Sequence, residues 1–216
     1  FHRDAPNGFA QLMLFDTQSD TLTALTTDRY ESNSGAWSAD GKWIYFLSDR
    51  SLKSVVRHPW GARQPDHFFD RPFKVYALPL RKGLRLPFEP PDELHPEQAR
   101  KEEPKTGAPA DKPPVKVEVD LDGIAKRIEE TPLPAGNYRS LTVAGERLCW
   151  LDANLADPAK ASLQCAAIDN KGEKPETLFD DVRDFEASAD GKKLLVVREN
   201  DLLVVPADAK AAALKD

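Results

Sequence analysis

The residues best suited to chemistry gather in one stretch, 51–73, which reads SLKSVVRHPWGARQPDHFFDRPF. It holds His58 and His67 with Asp66 and Asp70, a set whose side chains can ligate a metal ion. Their spacing matches no metal-binding motif, and a solvated loop explains the same residues more simply. Arg57, Trp60 and Arg63 belong to the types enriched at recognition surfaces. A guanidinium pairs with carboxylates and carbonyls, and an indole offers a broad apolar face. We take these three as candidate contacts to a substrate or to a neighbouring domain. Packing of the stretch on the protein's own surface is the plain alternative.

Elsewhere the signals for catalysis are weak. GxSxG, HExxH and glycine-rich phosphate loops are all absent. Ser34 and Ser38 beside Asp40 read as turn residues, and Asp49, Asp152 and Asp169 fall at strand ends, where carboxylates cap backbone N–H groups. The DLDG run at 120–123 is too short for a calcium loop and lacks its glutamate. No catalytic residue, metal or cofactor is assigned.

The elements that carry these residues are short strands. Three segments share a pattern: SGAWSADGKWIYFLSDR at 34–50, RSLTVAGERLCWLDAN at 139–154 and DFEASADGKKLLVVREN at 184–200. Each is a strand, a tight turn ending in glycine (Gly41, Gly145, Gly191) and a second strand of large apolar residues. Asp bonds its own backbone in such a turn, and Gly takes the positive φ that closes it. A further pair of strands follows each hairpin and also opens the chain. Gly145 and Gly191 lie 46 residues apart, near the ~40–45 of a four-stranded propeller blade.

The chain is therefore expected to be all-β, a partial β-propeller of about three to four four-stranded antiparallel blades. The expected division is an opening strand pair at 11–26, then blades at 34–133, 138–179 and 184–214. The first blade carries two insertions, 51–73 and 81–114. The second insertion has 8 prolines, and its 101–114 part has no large apolar residue to offset the entropy of ordering. Trp37, Trp43 and Trp150 are expected to pack between blades, with Ile44/Phe46 matching Leu148/Trp150 on one face. In the second blade, register places Cys149 opposite Cys165. A cross-strand disulfide is open there, though two buried thiols are the favoured reading, and the compartment stays undecided.

Composition bounds the rest. The 216 residues carry 30 Lys and Arg against 36 Asp and Glu, a net charge of −6. That is no footprint for nucleic acid. Apolar runs of about five residues are far short of the ~20 that span a bilayer. The chain opens at Phe1 in FHRDAPNGF, with neither Met nor a leader pattern, and so reads as a piece of a longer protein.

WSADGKWIYFLSDR at 37–50 resembles the repeat of TolB-type propellers. The text that follows, 54–94 and 117–141, is similar to the second propeller of bacterial tricorn-like proteases of the S41 serine peptidase class. Ala39 stands where that pattern usually has proline, and the 101–114 tract is longer than usual. The resemblance implies a non-catalytic propeller segment that channels or gates peptides and docks on a catalytic core. It further implies a parent with a PDZ module and a separate catalytic core, assembled as a homo-oligomer in the periplasm or cytoplasm of a bacterium, with the periplasm slightly favoured. No position here matches the catalytic motifs. The alternatives are a TolB-like scaffold that binds a protein partner and, more weakly, the propeller of a prolyl-oligopeptidase-type enzyme.

Overall fold

The computed structural model describes residues 1–51, 71–95, 115–155, 157, 160–199 and 201–211. The expected contacts Arg57, Trp60 and Arg63 lie outside the described residues, as do His58, Asp66, His67, Asp70 and the 101–114 tract. Among the described residues every strand pair is antiparallel. A 3-10 turn spans Ile124–Lys126. The architecture is that of a partial β-propeller.

The strands form three sheets. The first contains β1 (His2–Asp4), β2 (Ala10–Asp16) and β3 (Thr21–Ala24). Strand β1 has no apolar alternation to announce it; pairing Arg3 with Gln11 holds it on the edge. The second sheet is β4 (Ser32–Trp37), β5 (Trp43–Ser48), β6 (Lys74–Pro79) and β7 (Glu129–Glu130), in that order. The third runs β8 (Tyr138–Ala144), β9 (Arg147–Ala153), β10 (Ala161–Ala167), β11 (Glu176–Ala187), β12 (Lys193–Arg198) and β13 (Leu202–Pro206). The boundary expected between 179 and 184 falls inside β11. Its first half pairs with β10 and its second half with β12, with register shifts near Val182. Strand β4 lies against β8, and β8 against β11, so the first strands of successive units are neighbours.

Local chemistry explains the repeated hairpins. In the 38–43 turn Ser38 Oγ donates to Asp40 at 2.6 Å, and the Lys42 N–H donates to the same carboxylate at 3.1 Å. The Trp43 N–H donates to Ser38 Oγ at 2.9 Å. The 188–193 turn repeats each bond, from Ser188 to Asp190 (2.6 Å), Lys192 N to Asp190 (3.0 Å) and Lys193 N to Ser188 (3.0 Å). Burial works against the Asp40 charge, but these donors and the Lys42 ammonium outweigh it and hold the carboxyl below its ordinary range. Gly191 needs its missing side chain twice. Its φ is +66°, and a Cβ there would stand 3.0 Å from the Gly145 backbone nitrogen. A second repeat is less visible in sequence: Ser34 and Ser140 both adopt positive φ at bulges in β4 and β8.

The core is layered between sheets. Leu12, Ile44, Phe46 and Leu78 form one cluster on the side of β2. Trp43, Tyr45 and Leu47 point the other way and join Tyr138, Leu148 and Trp150 in a second. Cys149, Leu151 and Leu163 join Phe185, Leu194 and Val196 in a third. Strands β5 and β9 are thus buried on both faces. Ile44/Phe46 and Leu148/Trp150 do occupy matching faces, whereas Trp43 lies on the face opposite Ile44. Trp37 departs from expectation: it is 44% exposed, because the last residue of β4 sits outside the layer of side chains.

Cys149 and Cys165 are bonded, which corrects the preference for free thiols. They are register partners on β9 and β10, with Cα atoms 4.1 Å apart, and both lie in the third cluster. Facing each other in a water-free layer, each sulfur meets the other first.

Two outcomes follow. Reducing the disulfide should lower the unfolding free energy by roughly 3 kcal/mol, the value for a closed loop of about 15 residues. Urea midpoints measured before and after reduction check this, and coincident midpoints would contradict it. Tyr45 is fully buried, and its hydroxyl has no hydrogen-bond partner among the described residues. Tyr45→Phe should therefore stabilise the fold by about 1 kcal/mol. A loss of similar size would mean that the hydroxyl is satisfied.

Candidate functional site

The 51–73 insertion springs from one end of the first complete sheet. Strands β5 and β6 pair along their whole length, with Ser48 opposite Lys74. The points where the insertion leaves and returns are therefore adjacent. Both are anchored. Ser51 Oγ donates to Glu130 at 2.8 Å, the Lys74 ammonium pairs with the same carboxylate, and the Tyr76 hydroxyl donates to Ser51. Burial raises the Tyr76 phenol above its ordinary range, so it stays a neutral donor. On the return side the Arg71 N–H donates to Asn137 Oδ1 at 3.1 Å, and Phe73 and Gly136 exchange backbone bonds of 3.1 and 2.9 Å.

Beside that return point lies a groove of about 850 Å³, lined by Arg71, Pro134, Asn137, Tyr138, Asp152 and Gln164 among others. Its size is that of a cleft that holds a small molecule or a few residues of extended peptide. Part of its lining, Pro132 to Tyr138, comes from the segment between the two-residue β7 and the start of β8. Asp152, which the sequence reading treated as a strand-end carboxylate, accepts the Asn137 N–H at 3.0 Å and lies 3.5 Å from Gln164 Nε2. The Tyr138 hydroxyl donates to the Pro134 carbonyl at 3.0 Å, and burial raises its phenol. Its lining combines amides, a carboxylate and a guanidinium with proline rings.

His95 Nδ1 lies 2.9 Å from Asp92, yet no serine or cysteine hydrogen-bonds a histidine among the described residues. No group of three His, Cys, Asp or Glu side chains converges there on a common point. Nothing in the sequence flagged Asn137 and Tyr138, which bonds to Arg71, Asp152 and Pro134 hold in place.

At the opposite end a second cavity of about 520 Å³ lies between the Gly145 and Gly191 hairpins. Arg147 spans it, donating to Glu176 at 3.3 Å and to the Ala207 and Ala209 carbonyls at 3.4 and 2.8 Å.

Comparison with known proteins agrees with this geometry. Residues 1–208 match the family described as the tricorn protease second beta propeller domain. Tricorn protease homolog 1 of Streptomyces coelicolor is 29% identical over 98% of this chain and 20% of its own length. Putative tricorn protease homolog 2 of the same organism is 30% identical over 85% of this chain and 16% of its own length. The crystal structure of the tricorn protease superposes with a TM-score of 0.62 at 19% identity, covering 96% of this chain and 21% of that one. The chain spans about a fifth of the length of the relatives it matches. On the match over residues 1–208, the chain belongs to the tricorn protease second β-propeller family.

Proposed function

We propose that this chain is a non-catalytic propeller segment of a tricorn-like serine peptidase of the S41 class, which channels or gates peptide substrates. In this reading the rest of the parent, a PDZ module and a catalytic core, docks on the propeller, and the parent is a homo-oligomer. The observation that carries the reading is the 850 Å³ groove opening beside the anchored ends of the 51–73 insertion. Arg57, Trp60 and Arg63 of the insertion are the proposed peptide contacts, since guanidinium and indole groups suit transient contact with an extended chain.

The full-length polypeptide that carries this chain provides the test. Replacing Arg57, Trp60 and Arg63 together with alanine should lower kcat/KM for peptides of ten or more residues by about tenfold, equivalent to losing one good anchoring contact. Turnover of a short chromogenic substrate should be unchanged, since a gate does not touch the chemical step. The 216-residue chain alone should hydrolyse neither. Equal turnover of long peptides by the variant and the parent would overturn the channelling role and favour a protein-binding scaffold.

A further inference from the structure

Where β5 ends, Arg50 is clamped in an unusual way. Its guanidinium carbon lies 5.0 Å from the centre of the Tyr76 ring, 5.2 Å from Phe46 and 5.6 Å from Tyr30. Three aromatic faces stabilise the cation and fix its plane. Its Nε donates to Ser48 Oγ at 3.0 Å and its Nη2 to Ser32 Oγ at 3.2 Å, and both serines are fully buried. These two hydroxyls occupy the Nε–Nη2 edge of the fork. The other edge, Nη1 with the second N–H of Nη2, has no hydrogen-bond partner among the described residues.

Comparison within the same molecule sharpens the point. Arg127 is spent on the carbonyls of Asp122 and Asp120, and Arg147 on Glu176 and two further carbonyls. Arg50 has neutral hydroxyls and rings but no carboxylate within ion-pair distance among the described residues. The acidic groups around it are committed elsewhere. Asp49 accepts the Glu31 N–H at 3.0 Å, Glu31 accepts the Ala10 N–H at 3.0 Å and Asn33 Nδ2 at 3.2 Å, and Glu130 holds Lys74 and Ser51. A half-buried, unpaired cation is costly to hold, and an anion that reaches it gains more than it would in water. The open side is bordered by Tyr30, which is 42% exposed.

We propose that the free edge of the Arg50 guanidinium is a binding site for a carboxylate carried by a peptide, either a chain terminus or an acidic side chain. The rings and serines hold the fork in place before the ligand arrives, so little rotamer entropy is lost on binding, and a planar carboxylate meets two parallel N–H donors. The site is distinct from the 850 Å³ groove and stands whether or not the parent is a peptidase.

Phenylglyoxal condenses with the Nη1–Nη2 edge of arginine, so its rate of reaction at Arg50 reports the occupancy of that edge. The rate is to be read by peptide mass mapping of the full-length polypeptide that carries this chain. Three probes are titrated: N-acetyl-leucine for a chain terminus, N-acetyl-aspartic acid diamide's half-acid, with only its side-chain carboxylate free, and N-acetyl-leucinamide with none. Saturable protection by a carboxylate probe, about tenfold when it stands at about nine times its Kd, is expected, with none from the amide. Protection by the first probe alone identifies a chain terminus, and by the second an acidic side chain. Calorimetric titration of Arg50→Lys, whose melting temperature serves as the folding control, should show about tenfold weaker binding of the protecting probe. No protection by either carboxylate, equal protection by the amide, or an Arg50 that does not react at all would each overturn the assignment.

Discussion

The structure depends on burying the second strands of the two inner units, β5 and β9, on both faces. In β5 all six residues are buried, with Ile44 and Phe46 facing one neighbour and Trp43, Tyr45 and Leu47 facing the other. In β9 Leu148 and Trp150 face back toward β5 while Cys149 and Leu151 face forward. A sheet that is apolar on both faces cannot stand alone in water, and it is stable only between two others. Each unit is therefore a layer in a stack, and the position of every functional side chain follows from where the stack lets a strand end.

That constraint explains why the polar side chains described above lie at the strand ends. Side chains along β5 and β9 are committed to packing, so polar chemistry is displaced to Asp49, Arg50 and Ser51 at one terminus and to Asp152 at the equivalent terminus of β9. There the groups neither vanish into the core nor float freely. Glu130 ties Ser51 to Lys74, and Asn137 ties Arg71 to Asp152 through paired hydrogen bonds. The opposite ends carry tight glycine turns, where Gly145 and Gly191 come close enough to exclude a side chain.

Much of this architecture is legible in the sequence because its signals are local. Ala-Asp-Gly-Lys occurs at 39–42 and 189–192, and both copies make the same hydrogen bonds from Ser38 and Ser188. Alternation on β9 and β10 places Cys149 opposite Cys165, as the structure has it, although register alone cannot say whether two thiols are oxidised. What the sequence hides is tertiary. The rings around Arg50 come from Tyr30, Phe46 and Tyr76, contributed by separate parts of the chain, and no spacing rule joins them. The groove's lining comes from several separate segments, and Trp37 is exposed although its type suggests burial. Arg57, Trp60 and Arg63 are legible only by composition, and they lie outside the described residues.

Hydrogen exchange tests the stacked-layer account most directly. Trp150 belongs to β9, yet it shares its cluster with Trp43, Tyr45 and Leu47 of β5. Amide exchange read by mass spectrometry in wild type and Trp150→Ala should show protection falling in β5 as well as in β8–β10, because the layers support each other. Loss of protection confined to β8–β13, with β5 unchanged, would mean that the units are independent and would contradict the account.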